Sequence, residues 1–145
     1  MTDRRTNIDT TEFAHCASSR DNDPPFRFLE LSGEHLGVRI EEIAPGATSS
    51  HHHYHTAEEE HVLILSGEGT LHLGEAQHTL KTGDHIWFPA GETVAHHIEN
   101  TSEAPIRMLV FGEREQEDVV VYPESAIMMV KTATGVRTVA YLDEG

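Results

Sequence analysis

The stretch His51-His52-His53-Tyr54-His55-Thr56-Ala57-Glu58-Glu59-Glu60, followed by the apolar run Val62 to Leu65 and by Gly67, decides how this chain is read. In a β-strand successive side chains point to opposite faces, so His53 and His55 project from one face with Cα atoms roughly 6.5 Å apart. Two imidazoles at that spacing reach one metal ion, and a carboxylate from the next strand adds charge and an oxygen donor, a combination suited to Fe(II), Mn, Ni or Zn. His51 shares the same face, so on spacing alone a pair made of His51 and His53 is open too.

Working outward, Gly83-Asp84-His85-Ile86-Trp87-Phe88-Pro89-Ala90-Gly91 leads into Ala95-His96-His97-Ile98-Glu99-Asn100, where a turn delivers a further histidine onto a strand. Together the two stretches resemble the two conserved boxes of the cupin superfamily. Gly46, His53, His55, Glu60 and Gly67 stand at the places of the first box, and Gly83, Pro89, Gly91, His96 and Asn100 at those of the second. The spacers after Gly46 and after Gly91 are longer than is usual in the family, and both extras fall in loops. The resemblance runs from about Phe26 to about Phe111. It implies an all-β double-stranded β-helix, or jelly-roll barrel, holding one divalent transition metal (Fe, Mn, Ni or Zn) through His53, His55, Glu60 and His96. The register follows from the same match: Gly67 marks Glu60 as the carboxylate, and Glu60 selects His55 and His53 over His51. Further on, Val119 to Ser125 and Tyr141 to Gly145 resemble the tail of a bacterial group of small, mostly uncharacterised single-domain cupins.

At 145 residues the chain is long enough to bury a core without disulfides. Residues 26–145 are expected to form one barrel domain with a C-terminal extension. The first 25 residues, polar and closed by Asp23-Pro24-Pro25, read as a flexible arm or as an extended segment lying on the domain. With 25 acidic against 10 basic side chains and a formal charge of -15, the chain should repel nucleic acid and anionic membranes. Cys16 stands alone, Met1 to Ser19 lacks the apolar core of a signal peptide, and no run approaches the roughly 20 apolar residues that span a bilayer. A cytoplasmic protein acting on a small molecule is the expectation.

Short apolar stretches punctuated by turn signals mark an all-β fold. The predicted strands are Leu36 to Ile43, His61 to Leu65, Thr70 to Leu73, His78 to Leu80, His85 to Phe88, Ala95 to Glu99 and Arg107 to Phe111. Parity places Glu60 with Val62 and Ile64, and His96 with Ile98, on an inward face above apolar residues. The opposite parity, His61, Leu63 and Leu65, is largely apolar as well, which predicts that another sheet or a second subunit covers it. A homodimer, common among cupins, is therefore expected.

The remaining histidines His72, His78, His85 and His97 read as hydrogen-bonded strand residues or pocket walls, Trp87, Phe88 and Phe111 as core, and Asp84 as the residue closing the turn after Gly83. No nucleophile elbow or phosphate loop is present. Three neutral imidazoles and one carboxylate leave a divalent ion with a net charge of about +1 and, if octahedral, two open positions, which favours an oxygen-rich or carboxylate-bearing ligand. Fe(II) there suits dioxygenase chemistry; Mn, Ni or Zn suits Lewis-acid isomerase or lyase chemistry. A non-catalytic ligand-binding module and a structural, metal-stabilised dimer are the alternatives. The general acid or base is not assigned at this level.

Overall fold

Alternating side chains and frequent turns produce a chain of short strands around one interior. The computed structural model describes residues 4–16 and 26–141. Among these the strands are β1 (Ala14–Cys16), β2 (Phe26–Glu30), β3 (Leu36–Ile43), β4 (Tyr54–His55), β5 (Glu60–Ser66), β6 (Glu68–Leu73), β7 (Ala76–Lys81), β8 (His85–Phe88), β9 (His96–Glu99), β10 (Ile106–Glu113), β11 (Asp118–Tyr122), β12 (Ile127–Thr132) and β13 (Gly135–Ala140). They form antiparallel sheets in the orders β1-β2-β3-β10-β5-β8, β7-β6-β9 and β13-β12-β11-β4. Chain neighbours such as β5 and β6 sit in different sheets while β10 fits between β3 and β5, the topology of a double-stranded β-helix.

The inward positions of facing walls make the core. Ile43, Val62, Ile64, Leu71, Leu80, Phe88, Ile98, Ile106 and Met108 form one buried cluster, and burying each such side chain stabilises the fold by about 1.5–3 kcal/mol. Two glycines set how closely the walls approach. Gly67 has φ +99°, and a Cβ there would lie 2.7 Å from the Pro105 carbonyl oxygen. Gly112 of β10 pairs with Glu60, and a Cβ there would collide with the Glu59 carbonyl. Both positions therefore hold β5, and with it Glu60, hard against the neighbouring chain.

Each predicted strand has a counterpart, β3 and β8 with the predicted ends. The strands not predicted lie at the two ends of the chain and at β4. Val119 to Ser125 lies in β11 and the turn after it, and the β12–β13 hairpin extends the same sheet. Asp23-Pro24-Pro25 and Leu142 to Gly145 lie outside the described residues. Within residues 4–16, β1 pairs with β2, and Phe13 is buried beside the guanidinium groups of Arg27 and Arg107, 5.3 and 5.5 Å from its ring centroid. Glu42 bridges those two arginines at 2.5 and 2.8 Å, and Asp9 accepts from Arg107 at 2.6 Å.

The aromatic residues of β8 divide between the two faces. Phe88 is buried in the core, whereas Trp87 is 57% exposed, contrary to the expectation that both belong to the core. Adjacent residues on a strand cannot face the same way, and Phe88 takes the inward position. Trp87 instead lies in an outer row with His61, which stacks between Phe111 and His85 at 5.1 and 5.2 Å. No helix among the described residues is long and apolar enough to cross a membrane.

Candidate metal centre

The histidine-rich loop is laid along β9 by backbone hydrogen bonds. Gly46 (φ 82°) donates to the Asn100 carbonyl at 2.9 Å, Asn100 donates to Ala47 at 2.9 Å, and Ser49 donates to Ile98 at 2.8 Å. The side chain of Asn100, 1% exposed, ties this turn together by donating to the carbonyls of Ile43 and Ala104 at 2.9 and 2.8 Å. Farther along, His53 and His96 form a bridge with reciprocal N–H···O bonds of 3.2 and 2.8 Å. Between the Thr48–Glu99 bridge and the His53–His96 bridge, residues 49–52 face only His97 and Ile98. The long spacer after Gly46 is thus absorbed as a bulge that leaves His53 opposite His96. The long spacer after Gly91 becomes an exposed loop through Val94, and the Gly91 amide still donates to the His55 carbonyl at 3.1 Å.

His53, His55, Glu60 and His96 all line one cavity of about 230 Å³, together with Arg39, Glu41, Ser50, Val62, Phe88 and Tyr122 among others. The ring centroids of His53 and His55 are 5.2 Å apart, those of His53 and His96 4.8 Å. Glu60 Oε1 lies 3.8 Å from His96 Nε2, too long for a hydrogen bond. His51 is not among the lining residues; its ring packs edge-on to Tyr122 at 6.3 Å.

Hydrogen bonds orient the imidazoles. His53 Nδ1 donates to the backbone carbonyl of His51 at 2.7 Å, with Ser50 Oγ at 3.1 Å. His55 Nδ1 donates to Asp118 Oδ2 at 2.6 Å, and Asp118 Oδ1 accepts from the amides of Ala57 and Glu58 at 2.9 and 3.3 Å. With Nδ1 protonated, each ring keeps the lone pair on Nε2, the tautomer set by such an outer partner in metal-ligating histidines. His96 is held differently: its ring stacks on Phe88, centroids 3.5 Å apart, and its Nε2 is buried with no hydrogen-bond partner among the described residues. Leaving such a group unsatisfied costs about 1–3 kcal/mol, so a ligand at this nitrogen removes a penalty that the protein itself leaves in place.

Electrostatics favour the protonation states that a cation needs. Burial, reinforced by nearby His96, pushes the His53 imidazole down to about 4 despite the opposing His51 carbonyl and Glu60. Burial alone would raise the Glu60 carboxyl, yet His96, His53 and His55 outweigh it and hold it below the usual carboxylate range. A neutral His53 imidazole beside an ionised Glu60 carboxylate is what a divalent ion binds without displacing a proton from either. Glu41, 2% exposed on the inward face of β3 and paired with Arg39, goes the other way. Burial raises it to about 7, against the attraction of Arg39 and with a further push from Glu60.

A second grouping overlaps the first. His55, Glu58 and Asp118 each bring a ligand atom within 4.8 Å of the others, a possible metal site. Asp118, however, already accepts from His55 and from two backbone amides, and Glu58 pairs with Lys131 and accepts from the Glu115 amide. This arrangement serves better as the outer support of His55 than as a coordination sphere. Asp118 and Tyr122 reach the cavity region from β11. Arg39 and Glu41 share parity with the inward Ile43, but Ile40 of the opposite parity is buried as well, so spacing alone does not mark them.

These features define a β-barrel protein whose interior cavity is lined by histidines and a carboxylate. Residues 39–112 match the Cupin domain family, and the chain belongs to it. Among solved structures it is similar to a proposed sugar phosphate isomerase from Acidithiobacillus ferrooxidans ATCC 23270, with 29% identity, 94% of this chain and 93% of that one covered, and a TM-score of 0.84. A sugar phosphate isomerase of the cupin superfamily from Silicibacter pomeroyi DSS-3 is 25% identical over 97% of both chains, with a TM-score of 0.83. A protein from Thermotoga maritima named as a predicted oxalate decarboxylase shares the fold at 21% identity, with 75% of this chain and 97% of that one covered and a TM-score of 0.65. No curated protein matches the chain.

Proposed function

We propose that the chain is a metal-dependent isomerase that moves a proton within a small hydroxy-carbonyl compound bearing an anionic group such as phosphate. His53, His55, Glu60 and His96 hold one divalent transition ion, Fe, Mn, Ni or Zn. When bound, that ion supplies Lewis acidity to the substrate's carbonyl and hydroxyl oxygens. The observation that carries the reading is the buried His96 Nε2, unpartnered among the described residues, in a cavity shared with the buried Glu41 carboxyl. Glu41 takes the proton from the carbon bearing the hydroxyl and returns it to the neighbouring carbonyl carbon, while the hydroxyl proton passes to the former carbonyl oxygen. Arg39 lines the same cavity and offers its charge to the anionic group. The cavity, about 230 Å³, falls below the ~300 Å³ at which ordinary ligand pockets begin, which restricts the occupant to a small molecule. Similarity to two structures named as sugar phosphate isomerases supports the same substrate class.

The test is incubation of the metal-loaded chain with a panel of aldose and ketose phosphates in deuterated water. Deuterium appearing at the carbon next to the carbonyl, with aldose and ketose interconverting, is the expected result. A fully loaded chain that exchanges none of them would replace the isomerase with a binding module. A homodimer formed through the outer row around Trp87 belongs to the same proposal. Sedimentation should give twice the chain mass, reduced to one chain by Trp87→Glu.

A further inference from the structure

The bridge between the histidine-rich loop and β9 carries histidines on both of its faces. His53 and His96 meet inside. Beside them, His52 and His97 meet outside, with Nδ1 atoms 2.8 Å apart and ring planes at 77°. His97 also borders the interior cavity, but its ring lies between His52 and its cross-strand neighbour His72, on which it stacks at 4.4 Å. His72 is in turn fixed through Nε2 by Glu99 at 2.8 Å.

We propose that His52 and His97 form a second metal site, a two-imidazole clamp for Zn, Ni or Cu on the outer face of the bridge, separate from the interior centre. Without an ion, two Nδ1 atoms at this distance share a single proton, one ring donating to the other. Ligands bound at 2.0–2.1 Å and at right angles lie about 2.9 Å apart, so the nitrogens already stand at the separation of a chelating pair. The rings now aim their Nδ1 atoms at each other, and a small turn of each about its Cβ–Cγ bond brings both lone pairs to one ion. Glu124 adds negative charge felt at His52. His72 stacks parallel to His97, within 13°, so its plane does not point at the same ion; together with Glu99 it fixes the His97 ring.

The location gives the site a consequence. His52 belongs to the bulge that precedes His53, and His97 follows His96 on β9. An ion joining them pins the loop that carries one interior histidine to the strand that carries another. With only two protein donors and partial exposure, this site is the weaker of the two. Copper should bind it best of the divalent series.

The test is calorimetric titration of the metal-free full chain with Cu2+, with the electron paramagnetic spectrum recorded along the titration. Two classes of site are expected in the unmodified chain. His52→Gln, which leaves β9 untouched, should keep the tighter class and weaken the weaker one by roughly tenfold or more, and His97→Gln should do the same. A weaker class unchanged in both variants overturns the proposal, as does absence of binding. A single class that survives His52→Gln overturns it too, whereas a single class that His52→Gln removes sustains the outer clamp and removes the interior centre instead. If either variant unfolds, the spectrum of the unmodified chain decides: two equatorial nitrogens in the weaker class are expected, and fewer overturn the proposal.

Discussion

The inner and outer histidines of the same strands differ in what holds them rather than in number. Inside, His53 and His55 each give Nδ1 to a fixed oxygen, the His51 carbonyl and the Asp118 carboxylate, while His96 is wedged against Phe88 with Nε2 unpartnered among the described residues. Outside, the histidines satisfy one another or pair with carboxylates, as in His52 with His97, His61 with His85 and Glu59, and His72 with Glu99. Inside, an imidazole with an unpartnered nitrogen turned into the cavity is ready for an ion, whereas at His52 and His97 an ion must first displace the proton that the paired rings share. Histidine content alone makes no such distinction.

The largest effect should come from breaking the inner set outright. His55→Ala combined with Glu60→Ala is expected to abolish stoichiometric metal, measured by elemental analysis of untagged protein, and one tightly held ion per chain in the double variant would sink this ligand set. Next in size is Glu41→Gln, which keeps the shape of the cavity and removes its proton carrier. A loss of 10²–10⁴-fold in kcat is expected, with metal content unchanged; full activity in the variant would show that the proton travels by another route.

Glu41 also makes a prediction about stability. Its folded value of about 7 lies above its ordinary 4.5, so between those values the folded chain binds a proton that the unfolded chain has lost. Its contribution is fully present below about 4.5 and disappears as pH rises through about 7, by about 3 kcal/mol at most. In the metal-free protein, raising the pH from 5 to 8 should therefore lower the Tm of the unmodified chain relative to that of Glu41→Gln. Parallel Tm curves for the two chains would show that Glu41 titrates normally.

Asp118→Asn should have an intermediate effect. An amide nitrogen facing His55 Nδ1 sets donor against donor and favours the wrong tautomer, and lost outer partners of metal ligands typically cost 10–100-fold in affinity. If affinity is unchanged, Asp118 only closes the loop through Ala57 and Glu58.

Asp118 also shows where reading the sequence stops. The barrel walls were legible because short apolar runs such as Val62 to Leu65 of β5 are closed by turn residues such as Gly67, and the parity of Glu60 puts Val62 and Ile64 inward. The four residues drawn around the cavity were legible because glycine and proline punctuation fixes their places. Asp118 lies 63 residues from the histidine it supports and precedes a run, Val119 to Tyr122, with no polar alternation, so nothing local announces that β11 lies against β4. Nor does spacing reveal that Glu41 is buried, since a charged residue in a strand is ordinarily taken to face water. Only the pairing of β3 with β2 and β10, which turns Glu41 toward the cavity beside Met108 and Val110, buries it.

His51→Ala is predicted to have the smallest effect, and it sharpens the comparison most directly. His51 shares strand parity with His53, so a register one pair earlier would make it a ligand. In the structure its contribution to the centre comes from the main chain, whose carbonyl accepts from His53 Nδ1, and alanine keeps that carbonyl. The ring meets the edge of Tyr122, so its removal should lower stability by no more than about 1 kcal/mol and leave metal stoichiometry intact. Loss of the ion in His51→Ala would move the inner set to His51 and His53. His55 and its Asp118 support would then fall outside the coordination sphere.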